Sequence, residues 1–166
     1  MSHYKNIMVA VDLSAESIER CLKAFVVADA EQSRLLLVHV VEYVYQVNTL
    51  YDPIYYPGVE NLVIDESELL EIAQGRMEKL LSELAELFEK RKNADNRKTL
   101  LEHCKIEVLV GIPKTEILRL ADEYHSDLIV CGSHGRRGLE LLLGSTANAI
   151  LHHAKCDVLA VRSKGN

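Results

Sequence analysis

A doubly wound α/β domain, with helices on both faces of a five-stranded parallel sheet, is the fold class this sequence predicts. Three observations predict it. Five short apolar runs recur along the chain, and the first two are apolar almost without interruption, as strands buried on both faces are. Segments with helical spacing lie between them. The chain has 166 residues, enough for one hydrophobic core, and residues 1–166 are expected to form a single domain.

The elements follow in order. Asn6-Ile7-Met8-Val9-Ala10-Val11-Asp12 is a continuous apolar run ending in an acid and predicts the first strand. Ser14 is expected to cap the helix that follows, with Glu16 in its first turn. Apolar residues at Ile18, Cys21, Leu22, Phe25 and Val26 have the spacing of one helix face. Arg34 to Val41 is the second strand, which completes a βαβ unit of ordinary size.

Residues 42–66 follow no period and hold five of the seven tyrosines (Tyr43, Tyr45, Tyr51, Tyr55 and Tyr56). Such a long loop is a lid over a ligand, a docking segment for a second subunit, or a mobile surface loop. Helical spacing resumes from Glu66 to about Arg91, with Leu69, Ala73, Met77, Leu80, Leu84 and Leu87 on one face. Lys92 to Lys98 is polar and is expected to be a connector.

The second half repeats the pattern. Lys105 to Val110 begins by alternating, which suits a strand near a sheet edge. Gly111-Ile112-Pro113 turns the chain, and Pro113 suits the first position of a helix running to Tyr124. Asp127 to Gly132 is the fourth strand, Ser145 to about His153 a short helix, and Cys156 to Arg162 the fifth strand. Right-handed crossovers and a strand order of 3-2-1-4-5 are expected.

Composition narrows the function classes. The net charge is −6 and the basic residues are scattered, so nucleic-acid binding lacks its main source of affinity. No apolar run reaches the roughly 20 residues a membrane span needs. Met1 to Asn6 leads straight into a strand without the apolar region of a signal peptide. The cysteines (Cys21, Cys104, Cys131 and Cys156) lie far apart and form no C-x-x-C pair. A reducing compartment, most simply the cytoplasm, is the expectation.

Doubly wound sheets bind ligands beyond the carboxyl ends of their strands, where the strand order reverses. Two segments fall there: Asp12-Leu13-Ser14, and the stretch from Gly132-Ser133-His134-Gly135 to Gly144-Ser145-Thr146. Four glycines in 13 residues permit close backbone approach, and a helix start with hydroxyls beside it suits a phosphate. A glycine-rich turn followed by an ordinary hydroxyl cap would read the same way.

The pattern Gly132-Ser133-His134-Gly135 … Gly144-Ser145 resembles the nucleotide signature of the universal stress protein family, G-x-x-G, nine residues, G-[ST]. Val9-Ala10-Val11-Asp12, the Gly111-x-Pro113 turn and Cys156 to Arg162 match that family in order and spacing, from about Tyr4 to Arg162. The resemblance implies an adenine nucleotide alpha hydrolase-like fold and a cytoplasmic, ATP-binding regulatory homodimer of the stress response. It implies that Asp12 contacts adenosine, that Val41 packs on or bonds to the base, and that Gly132 and Gly135 let the chain pass ribose and phosphates. Gly144, Ser145 and Thr146 would hold the phosphates, with an optional bridging Mg²⁺. One departure bears on this: eight residues, not nine, separate Gly135 from Gly144. A residue spans up to about 3.3–3.6 Å, far more than a phosphate hydrogen bond tolerates. A nucleotide-free dimer acting through protein contacts is therefore the rival reading.

Other residues admit two accounts. His134 is a phosphate contact or a solvent-facing loop histidine. Arg136 and Arg137 clamp phosphate or serve a subunit contact. Asp12 binds ligand or bonds its own loop amides. His152 and His153 are adjacent and make a poor metal pair. No Walker lysine and no carboxylate cluster is present, which argues for binding over catalysis. Slow hydrolysis, or self-phosphorylation at Ser145 or Thr146, stays open.

Overall fold

Residues 4–42, 65–90, 95–133 and 143–162 are described in the computed structural model. The chain runs β1 (Asn6–Ala10), α1 (Ser17–Glu31), β2 (Arg34–Glu42), α2 (Glu66–Glu89), α3 (Asp95–Glu102), β3 (Lys105–Gly111), α4 (Pro113–Glu123), β4 (Leu128–Gly132), α5 (Ser145–His153) and β5 (Asp157–Val161). All pairings are parallel and the order is β3-β2-β1-β4-β5, as expected from the sequence. The expected loop falls outside the described residues over 43–64, while Glu42 ends β2 and Asp65 caps α2.

Two cores explain the unbroken apolar runs. Successive strand residues point to opposite faces. Ile7 and Val9 therefore pack with Phe25, Leu84 and Phe88 under α1 and α2. Met8 and Ala10 pack with Ile117 and Ile150 under α4 and α5. The Phe25 and Phe88 rings meet at 5.2 Å and join α1 to α2. β3 and β5 are the sheet's edges, and both alternate or thin in burial, which bears out the edge expectation for the third strand.

Three details depart from expectation. Ser14 does not cap α1; the helix begins at Ser17 and the Ser14 side chain turns to Asp12 instead. Val26 is 47% exposed, and the buried stripe of α1 is Ser17, Arg20, Cys21, Ala24, Phe25 and Ala28. The polar connector is in part a helix, since Asp95 to Lys98 open α3. A helix so short is marginal alone. Packing of Leu100 and Leu101 on the first core supports it, together with an Arg97–Asp29 pair at 3.4 Å.

Turn chemistry is local where it can be. Asp65 accepts from the Ser67 amide at 2.9 Å at the start of α2, and Pro113 occupies the first position of α4. Gly111 has φ +156°, and a Cβ there would lie 2.9 Å from Glu116 Cγ. Gly111→Ala is expected to cost about 1–2 kcal/mol in urea unfolding, because an L-residue is strained in that conformation.

Burial pushes the Cys21 and Cys104 thiols up to about 12 and Cys131 up to about 11. Little thiolate forms near neutrality, so Cys21 and Cys131 are expected to take a thiol-reactive probe only on unfolding, as read by mass spectrometry. Among the described residues no helix is long and apolar enough to cross a membrane.

Candidate functional site

The order reverses at β1, which has β2 on one side and β4 on the other. α1, which follows β1, packs on one face and α5, which follows β4, on the other, the arrangement that places ligand crevices at the carboxyl ends of such strands. The backbone is tied as it leaves β1: the Val11 amide donates to the Val38 carbonyl at 2.8 Å. Buried His39 on β2 lies with Nδ1 2.8 Å from the Val11 carbonyl. A carbonyl only accepts, so Nδ1 is the protonated nitrogen.

Asp12 follows directly. Its Oδ1 accepts from the Ser14 amide at 3.1 Å, the Ser14 hydroxyl at 2.6 Å and the Ser17 hydroxyl at 2.8 Å. Arg20 grips both oxygens, Nη1 at 3.1 Å from Oδ1 and Nη2 donating to Oδ2 at 3.2 Å. Burial opposes ionisation of this carboxyl, but Arg20 and the Ser14 donors outweigh it and hold Asp12 well below the usual carboxylate range. Leu13 then takes φ +57°, and its carbonyl accepts from Arg76 Nη2 of α2 at 3.1 Å.

Gly132 ends β4 against the same guanidinium. A Cβ at 132 would stand 2.8 Å from Arg20 Cζ and 2.9 Å from Nε and Nη2. Arg20 is itself 3% exposed and pinned to Asp12, so it has little room to retreat. The nearest reason for a glycine at this position is thus the protein's own cation.

Beyond Gly132, the Ser133 amide donates to the Val161 carbonyl at 2.9 Å, and the Gly144 amide donates to the Ser133 carbonyl at 2.9 Å. These bonds tie the start of α5 to the carboxyl edge of β4 and β5. Gly144 is the N-cap (φ −59°, ψ 149°) and supplies no side-chain acceptor. The first-turn amides of α5 and the positive end of its dipole therefore stand at the sheet's carboxyl edge with Ser145 and Thr146 beside them.

Of the residues the sequence singled out, Asp12, Gly132, Gly144, Ser145 and Thr146 lie on this edge. Val41 pairs with Val110 one residue before β2 ends, and is half-buried. Gly135, with His134, Arg136 and Arg137, lies outside the described residues. His152 and His153 are exposed on the last turn of α5, their rings 6.5 Å apart. Among the described residues no group of three or more His, Cys, Asp or Glu gathers to hold a metal.

Sequence reasoning missed Arg20, Ser17, His39 and Arg76. A signal existed for the first two. Residues 17, 20, 24 and 28 share a helix face by spacing, so a charge at 20 demanded a partner on the strand beneath.

Comparison with known proteins agrees with the fold. The profile of the Universal stress protein family matches residues 3–162. The chain is 39% identical over 167 residues to Universal stress protein A homolog 2 of Coxiella burnetii, covering 100% of both chains. A solved universal stress protein from Lactobacillus plantarum superposes with a TM-score of 0.69 at 27% identity, covering 96% of this chain and 98% of that one. Two more distant structures share the fold: a universal stress protein in complex with cAMP (TM-score 0.56, 23% identity; 95% of this chain, 96% of that one) and one from Arabidopsis thaliana with AMP bound (TM-score 0.51, 20% identity; 97% and 93%). The chain belongs to the universal stress protein family.

Proposed function

We propose that this protein is a regulatory adenine-nucleotide-binding module, a homodimer that takes ATP at the β1/β4 crevice and acts in the cytoplasm during stress. The observation that carries the reading is the placement of α5. Its N-terminus, where the N-cap Gly144 offers no side-chain acceptor, is tied by Ser133 and Gly144 to the sheet's carboxyl edge, the edge that also holds Asp12. An anion suits the amides, and a carboxylate suits the hydroxyl and amine donors of adenosine. That family members in solved complexes carry cAMP and AMP supports the adenine preference. Gly144, Ser145 and Thr146 would hold phosphates, Asp12 and Val41 the nucleoside. A Mg²⁺ would be held chiefly by the phosphates and these hydroxyls.

Binding rather than turnover is part of the proposal. Asp12 is a weak base, because its proton affinity is depressed by Arg20 and the serine donors. A turnover rate well below 1 s⁻¹ is expected, against a median near 10 s⁻¹ for enzymes.

The test is direct. Denaturing the purified protein is expected to release adenine nucleotide, and calorimetry with ATP, ADP and AMP to give dissociation constants below 1 mM, a binding free energy beyond about −4 kcal/mol. The eight-residue bridge between Gly135 and Gly144 favours the rival, a nucleotide-free dimer acting through protein contacts or self-phosphorylation. No released nucleotide and no binding at millimolar ATP would decide for that rival.

A further inference from the structure

Arg20 is an expensive residue for its place. It sits on the buried face of α1, 3% exposed, with its guanidinium between the carboxyl ends of β1 and β4. Desolvating such a charge costs several kcal/mol, and apolar residues of similar volume commonly serve stability as well or better. Packing therefore gives no reason for it.

Its contacts point to one. Nη1 and Nη2 reach both oxygens of Asp12, and the fork leans on the Ala10 carbonyl at 3.4 Å and the Ser14 hydroxyl at 3.5 Å. Buried Nε has no hydrogen-bond partner among the described residues, and the face of the guanidinium fills the space that a side chain at 132 would need. One planar cation thus lies between the loop that leaves β1, which it holds through Asp12, and the end of β4, where it backs onto Gly132. A fork of this geometry fixes the carboxylate plane as a lysine could not.

We propose that Arg20 is a positioning residue of the nucleotide site: acting through Asp12, it holds that carboxylate oriented as an acceptor for a hydroxyl or amine donor of the nucleoside. This rests on the nucleotide reading above. The ligand class follows from the acceptor. A nucleoside that lacks the matching donor is bound more weakly, because the carboxylate is held in one orientation.

The experiment compares ATP with 2′-deoxy-ATP, 3′-deoxy-ATP and inosine triphosphate on the full chain, by calorimetry. Wild type is expected to prefer ATP over at least one analogue by about 10-fold or more, the scale of a charged hydrogen bond. Arg20→Met is expected to level that preference, and Arg20→Lys, which keeps charge without the fork, to give an intermediate one. On an Asp12→Asn background, Arg20→Met is expected to change affinity by less than about 2-fold, since residues acting as one unit are not additive. Wild-type preference retained in Arg20→Met or Arg20→Lys overturns the inference, as do additive effects in the double variant. No ATP binding by wild type is a different failure, that of the nucleotide reading. The carboxyl resonance of Asp12, followed by NMR across pH, then decides whether Arg20 holds it: titration in Arg20→Met over the same range as in wild type overturns that hold as well.

Discussion

Asp12→Ala is expected to lower stability by about 3 kcal/mol in urea unfolding. Removing one member of a buried ion pair typically costs about 3–5 kcal/mol, because the remaining charge is left unsolvated. The Asp12 side chain is 29% exposed, which puts the cost at the lower end, while that of Arg20 is only 4% exposed and would be stranded. Adding Arg20→Met to Asp12→Ala is expected to restore most of the loss, since both charges then disappear together. An additive double variant would show that the pair contributes nothing as a pair.

The same pair sets a pH dependence with a definite sign. An unfolded aspartate titrates near 3.9, and folded Asp12 lies lower, burial being outweighed by Arg20 and the Ser14 donors. As pH falls through about 4, the unfolded chain takes up a proton that the folded chain refuses. The stabilisation is therefore complete above about pH 5 and lost progressively below about pH 4. Wild type is expected to lose stability over that acid range more steeply than the double variant.

Gly144→Asp is expected to weaken ATP binding about 100-fold or more while leaving the fold as stable or slightly more so. Gly144 already has an ordinary L-residue conformation (φ −59°, ψ 149°), so no backbone strain opposes the substitution. Aspartate is among the best N-caps, and its carboxylate would accept from the first-turn amides of α5. Those are the amides a phosphate needs. The site would lose one or two charge-assisted bonds, each about 1.5–3 kcal/mol, and gain a like charge beside the anion. Unfolding and calorimetry on one sample separate the two effects. Tight ATP binding by this variant would remove α5 from the site.

Much of the fold was legible because its signals are local. The continuous apolar runs at Asn6–Ala10 and Leu128–Gly132 need only two-faced burial to be read as central strands, and Pro113 marks its helix start by chemistry alone. α3 was not legible: its polar first turn takes its support from Leu100, Leu101 and the Arg97–Asp29 pair, contacts between segments far apart in sequence. The cap of α1 was misread for a related reason. Ser14 has the right composition for a cap, yet Asp12 competes for its hydroxyl and amide, and the helix starts later at Ser17.

The candidate site divides the same way. Asp12, Gly132 and Gly144 could be named from motif and strand order, since the switch point follows from topology. Arg20 carried a signal in its helix face but no assignable role, because Ala10, Asp12 and Ser14, though within ten residues of it, meet its guanidinium only once α1 folds back on β1, and Gly132 acquired a steric reason unrelated to ligand. By itself, then, the sequence determined the strands, the helices with strong apolar stripes, and the place on the sheet where chemistry would gather. Only the tertiary structure decided which charge lies beneath that place and which side chain answers it. Hydrophobic periodicity is a property of neighbours along the chain, whereas pairing the buried Arg20 depends on how α1 folds back over the loop that leaves β1.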